Sequence, residues 1–85
     1  MSKSAFTEAH RILVSALAQT RRDMGVPQVE LAALLGKDQS YISNIERGQR
    51  RVDVVEFYAI AKAIGLDPVE WFAQIVKDFP AIVDV

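Results

Sequence analysis

The sequence predicts an all-α fold, a compact five-helix bundle, and three observations carry that reading. Apolar residues recur at three- and four-residue intervals in successive stretches of the chain. Asp or Pro stands where several stretches begin, and Gly where most of them end. No stretch reads as a strand.

Helix one is expected over roughly Ser4–Asp23, with Ala9, Ile12, Leu13, Ala16 and Leu17 forming its buried stripe. Gly25 suits a left-handed residue closing it. Helix two covers about Gln28–Leu35, buries Leu31, Ala32 and Leu35, and stops at Gly36. Helix three runs from about Gln39 to Arg47 with Ile42 and Ile45 inward, and Asp38 is its expected N-cap, accepting from the open amides of the first turn. Helix four begins at Asp53-Val-Val-Glu56, close to a capping box, carries Phe57, Ile60, Ala61 and Ile64 inward, and ends at Gly65. Helix five opens with Asp67 as cap and Pro68 in the first helical position, buries Val69, Phe72, Ala73 and Val76, and stops near Pro80.

Eighty-five residues suit one domain with a single small core, spanning 1–85, and just over half of them are apolar. There is no cysteine, hence no disulfide framework and no thiolate metal site. No apolar run approaches a membrane span, and the first residues, MSKSAFTEAH, lack a signal-peptide core, so a cytoplasmic protein is expected. The net charge is −1, but it is unevenly spread: residues 1–51 hold eight Lys/Arg against five Asp/Glu, and residues 52–85 hold two against six. Such a division suggests one face offered to phosphates and another turned away.

Nothing in the chain supports catalysis. His10, the one histidine, falls on the polar side of helix one with no cysteine or paired acid nearby in sequence. No metal site, cofactor or small-molecule ligand is expected, and no glycine-rich phosphate cradle occurs.

The most informative segment is QSYISNIERG, Gln39–Gly48, which follows VPQVELAALLG. Together they read as two short helices joined by a tight bend. On a helical wheel Gln39, Ser40, Ser43, Asn44 and Arg47 cluster opposite Ile42 and Ile45, with Tyr41 at the border. That face holds no carboxylate, whereas an ordinary solvated face usually mixes in Glu or Asp. Gln and Asn amides donate and accept at once, which suits adenine edges in a DNA major groove. The loop ERGQRRV adds Arg47, Arg50 and Arg51, a guanidinium cluster suited to phosphates, with Gly48 permitting the left-handed exit from helix three; Lys37 and Arg22 are weaker candidates.

Arg21–Asp67 resembles the helix-turn-helix family of phage Cro and repressor proteins and bacterial Xre-type regulators. The likeness rests on Arg21, Gln28, Leu31-Ala32, Gly36, Ile42-Ser43, Ile45-Glu46, Gly48 and the run Ile60-Ala61-Lys62-Ala63-Ile64-Gly65 at family spacing. It implies a phage-repressor-like DNA-binding domain with its helix-turn-helix at about residues 28–47. Gln39, Ser40 and Asn44 then become base contacts, with Ser43 and Tyr41 as phosphate or secondary base contacts; Tyr41 could equally pack at the core's edge with its hydroxyl wet. Gln28 would bond a backbone phosphate, although Pro27 stands where the family usually has Ser or Thr. Arg21 and Glu46 would form a structural ion pair between the first and third helices, the alternative being two unrelated surface charges.

Beyond the matched segment, Trp71, Ile75, Phe79, Ile82, Val83 and Val85 are apolar in excess of what helix five needs. Region 68–85 is therefore a candidate dimer interface, the alternative being that Trp71 and Phe79 complete the protomer core. The resemblance implies a sequence-specific transcriptional regulator that binds double-stranded DNA as a homodimer at an inverted repeat. Phage repressors, restriction–modification controllers and antitoxin-like regulators share this minimal form. The alternative function is a helical protein–protein interaction module that keeps the fold without reading DNA, which the acidic second half favours.

Overall fold

The computed structural model describes residues 7–85. Five helices follow one another: α1 Glu8–Asp23, α2 Gln28–Leu34, α3 Gln39–Glu46, α4 Val54–Ile64 and α5 Pro68–Val76. Thr7 caps α1, its hydroxyl accepting from the His10 amide at 3.4 Å. The earlier start expected for this helix, at residues 4–6, lies outside the described residues. Among the described residues there is no strand, and no helix is long and apolar enough to cross a membrane.

The helix boundaries follow local chemistry. Asp53 accepts from the Glu56 amide at 2.7 Å while the Glu56 carboxylate accepts from the Asp53 amide at 3.0 Å, a complete capping box at the head of α4. Asp67 accepts from the Val69 amide at 2.9 Å, and Pro68 follows at the first position, where a missing N–H costs nothing. Gly48, with φ of +75°, lets the chain leave α3 in a left-handed turn that a side chain would resist. Asp38 departs from expectation: it precedes α3 in extended geometry, yet its carboxylate makes no capping bond. The Ser40 hydroxyl takes that carboxylate instead, at 2.6 Å.

The core gathers Val14 and Leu17 of α1, Leu31 and Ala32 of α2, Ile42 and Ile45 of α3, Phe57, Ile60, Ala61 and Ile64 of α4, and Trp71 and Ile75 of α5. Ala61 is fully enclosed, which fixes the middle of α4 at the centre of the packing. α3 packs against α2 and α1, α4 packs against α5, and the two groups meet where α1 touches α5 and α2 touches α4. Both faces predicted for α3 and α4 are the ones buried.

Two helices are rotated from the predicted orientation. In α1 the buried residues are Ala9, His10, Val14, Leu17, Ala18 and Arg21, so the stripe centres on Val14, and Ile12, Leu13 and Ala16 are only half-buried. His10 is therefore not on a polar face; it is 6% exposed. The reason is tertiary: this rotation aims Arg21 at Glu46 and His10 at the loop after α3. In α5, Trp71 and Ile75 turn inward at 5% exposure each, while Val69 and Phe72 remain 78% and 44% exposed. The indole stacks on Phe57 with centroids 5.0 Å apart, and this large ring has more apolar area to remove from water than Phe72 does. Phe72 meets Phe57 and Phe79 edge-on from outside, at 5.5 and 6.5 Å. Trp71 and Ile75 thus belong to the protomer's own core and are withdrawn from the expected dimer interface. After Val76 the chain leaves the helix, short of Pro80.

Candidate nucleic-acid interface

The outward side of α3 stands on a rigid base. Ile42 and Ile45 are 1% exposed each, so the helix cannot roll without opening the core. Opposite them, Gln39 and Ser40 are exposed and Ser43 and Asn44 half-exposed, the arrangement the wheel predicts.

A continuous polar chain ties this surface to α1. The Gln39 amide donates to Gln28 Oε1 at 3.2 Å, and Gln28 Nε2 donates to Glu46 Oε1 at 2.8 Å. Arg21 closes the chain, donating from Nε to Glu46 Oε2 at 2.6 Å, from Nη2 to Glu46 Oε1 at 3.0 Å, and from Nη1 to the Val26 carbonyl at 2.8 Å. The Arg21–Glu46 side chains are 10% exposed, so the pair is shielded and not a chance surface contact. Gln28 sits at the start of α2 behind Pro27, which offers no side-chain cap. The first helical amides there stay available to an anion.

At the leading end of α3 the Asp38–Ser40 bond puts a carboxylate beside the outward side, so that side is not acid-free at its tip. The Ser40 hydroxyl first, and the nearby Tyr41 amide second, hold the Asp38 carboxyl below its usual range. At the other end Arg47 Nη2 donates to Asn44 Oδ1 at 2.7 Å and to Gln49 Oε1 at 3.3 Å. Asn44 thus keeps its amide donors for a further partner.

A second constellation surrounds Tyr41. Its hydroxyl donates to Glu56 Oε2 at 2.8 Å, and its ring lies under two cations, Arg50 at 4.8 Å and Lys37 at 5.3 Å. Burial, and then the bond to Glu56, push the phenol up to about 12. Tyr41 therefore takes the edge-of-core position, with its hydroxyl on Glu56. Glu56 also meets Arg50 Nη1 at 2.8 Å. Burial pushes the Glu56 carboxyl upward, but the Asp53 amide, the Tyr41 hydroxyl and Arg50 outweigh it and leave the group below its ordinary range. Arg50 Nη1 also donates to the Arg51 carbonyl at 3.0 Å, and the Arg50 carbonyl faces His10 Nε2 at 3.3 Å.

The structure thus brings Gln28, Gln39, Arg21 and Glu46 into one cluster, and Lys37, Tyr41 and Arg50 into another, with Arg47 and Arg51 exposed on the same loop. Sequence reasoning missed Glu56 and His10 as parts of the site. Glu56 announced itself only as a capping residue, and nothing local couples His10 to a loop forty residues away.

Bordering the basic loop at His10 and Arg51, an apolar groove of about 590 Å³ is lined by Val54, Tyr58, Val69, Phe72, Phe79 and Val83. Val54, Tyr58, Val69 and Phe72 are exposed there, while Phe79 is half-buried; Ile82, Val83 and Val85 are exposed in the tail.

Comparison with known proteins points the same way. Residues 17–71 match the Helix-turn-helix family. The chain is 36% identical over 63 residues to an HTH-type transcriptional regulator, y4dJ, of Sinorhizobium fredii, covering 74% of this chain and 82% of that protein. Among solved structures it is similar to an Xre-family-like protein from Pseudomonas syringae, with 36% identity, a TM-score of 0.77, and coverage of 85% of this chain and 88% of that one. It is also similar to the restriction–modification controller protein C.AhdI of Aeromonas hydrophila, with 39% identity, a TM-score of 0.63, and coverage of 69% and 86%.

Proposed function

Since this chain belongs to the Xre-type helix-turn-helix family, a family of transcription regulators and not an enzyme class, we propose that it reads DNA sequence as a homodimer. α3 enters the major groove; Gln39, Ser40 and Asn44 meet base edges; Gln28, Ser43, Lys37, Arg47, Arg50 and Arg51 meet phosphates. The observation that carries this reading is the division of α3 into an anchored underside, Ile42 and Ile45, and an amide-rich outer side followed directly by three arginines. Tyr41 supports it from behind, its ring beneath Arg50 and Lys37.

Two copies related by a two-fold axis would set their third helices in successive major grooves, on half-sites about 34 Å apart. The apolar groove around Val54, Tyr58, Val69 and Phe72, continued by Phe79, Ile82 and Val83, is the proposed seam between them. Regulation then follows from occupancy of an inverted-repeat operator.

Selection of bound sites from a random oligonucleotide pool tests the reading: a symmetric consensus of two half-sites is expected. A fluorescence-anisotropy titration against random duplex at two salt concentrations is the companion measurement. Absence of binding at low salt would favour the second reading, a helical interaction module that docks a protein on the same apolar groove.

A further inference from the structure

Arg50 is held at both ends by residues outside the helix-turn-helix. Its guanidinium meets Glu56 of α4 through Nη1 at 2.8 Å, and its main-chain carbonyl faces the His10 ring of α1 at 3.3 Å. Between these two points the side chain lies over the Tyr41 ring. Nη1 makes both of the guanidinium's hydrogen bonds, to Glu56 and to the Arg51 carbonyl, so Nη2 and Nε make none with the described residues. The group is fixed on one edge and open on the other.

We infer that His10 is a positioning residue for the basic loop, acting through the Arg50 carbonyl to set the Arg50 guanidinium for a DNA phosphate. The role rests on the DNA-binding function proposed above. A carbonyl oxygen can only accept, so the bond requires the proton on Nε2 of the ring. At 6% exposure the imidazole is sheltered from water; burial and the neighbouring Arg51 charge both favour its neutral form, against the pull of the Arg50 carbonyl. Loop backbone between α3 and α4 is irregular, and without a tether the three arginines would have to be ordered at the moment of binding. A buried histidine that merely fills space would need no particular tautomer and no link to Arg50. This one has its ring nitrogen at the carbonyl of the residue whose side chain caps the Tyr41 ring.

Two measurements test the role. On the unaltered chain, nitrogen-15 NMR of the imidazole reads the tautomer without any DNA: a neutral ring protonated at Nε2 is expected, and one protonated at Nδ1 would overturn the inference while leaving DNA binding untouched. In anisotropy titrations against random duplex, His10→Phe is expected to weaken binding about three- to tenfold and to reduce the log–log salt slope by about 0.9, as when one phosphate contact is lost. His10→Gln, whose amide can donate to the same carbonyl, is expected to recover most of the affinity. In an Arg50→Ala background His10→Phe should have no further effect. Equal weakening in both backgrounds, or unchanged affinity in the first, would reduce His10 to a space-filler. If the unaltered chain binds no duplex at low salt, the DNA-binding function itself falls, and the positioning role falls with it whatever the tautomer.

Discussion

Arg21 of α1 meets Glu46 of α3 through two parallel hydrogen bonds, at 2.6 and 3.0 Å. Each side chain is about nine-tenths buried, and Glu46 also accepts from Gln28. Removing Arg21 would strand a shielded carboxylate, so Arg21→Ala should lower the unfolding free energy by about 3–5 kcal/mol in a urea titration. A loss below about 1 kcal/mol, the size of a surface pair, would contradict the shielding argument.

Gln39→Ala and Asn44→Ala are expected to cost about 1–3 kcal/mol on the cognate site while leaving random duplex nearly unaffected. Preference should relax at one or two positions of each half-site. Equal weakening on cognate and random DNA would remove the base-reading role from these residues.

Arg51→Ala should behave differently. It is expected to weaken all sequences alike and to lower the magnitude of the log–log salt slope by about 0.9. A change confined to one base position would show instead that this guanidinium reads sequence.

Phe72→Glu, or deletion of residues 80–85, should drive the protein toward monomer in sedimentation velocity with a near-normal melting profile, because Phe72 is 44% exposed and Ile82 and Val85 more so. Trp71→Ala should do the reverse in kind: its ring is buried against Phe57, and its loss is expected to cost about 3–5 kcal/mol of folding stability. An unchanged dimer after both seam variants would move the interface elsewhere.

Stability should fall as pH drops from 7 toward 5. The folded state depresses the His10 pKa below its ordinary value of 6.5, chiefly by burial, so below that pH the unfolded chain takes up the proton more readily. Asp38 and Glu56 are also depressed, but they act in the acid range below the carboxylate values. Thermal melts across this window should therefore flatten in His10→Phe. An equally steep profile in that variant would assign the dependence to other groups.

Helix ends were legible in the sequence because their causes are local: Asp53 with Glu56, Asp67 with Pro68, and a glycine after α1, α4 and the turn residues between. The inward side of α3 was equally plain, since Ile42 and Ile45 are its only aliphatic residues. α5 is apolar nearly all round, with Val69, Trp71, Phe72, Ile75 and Val76, so periodicity could not choose its inner face; the Phe57 ring made that choice. The same limit applies to His10, Asp38 and Glu56. Their partners are set by how helices pack or by competition between a hydroxyl and an amide, and neither is written in spacing.

Ile42 and Ile45 hold α3 by its concealed flank, and this separates two kinds of constraint along eight residues. Substitutions on the outward flank disturb little of what keeps the chain folded. Under the DNA-reading role proposed above, a lineage built on this plan could exchange one target for another by changing a handful of surface side chains, and a designer retargeting it could follow the same route.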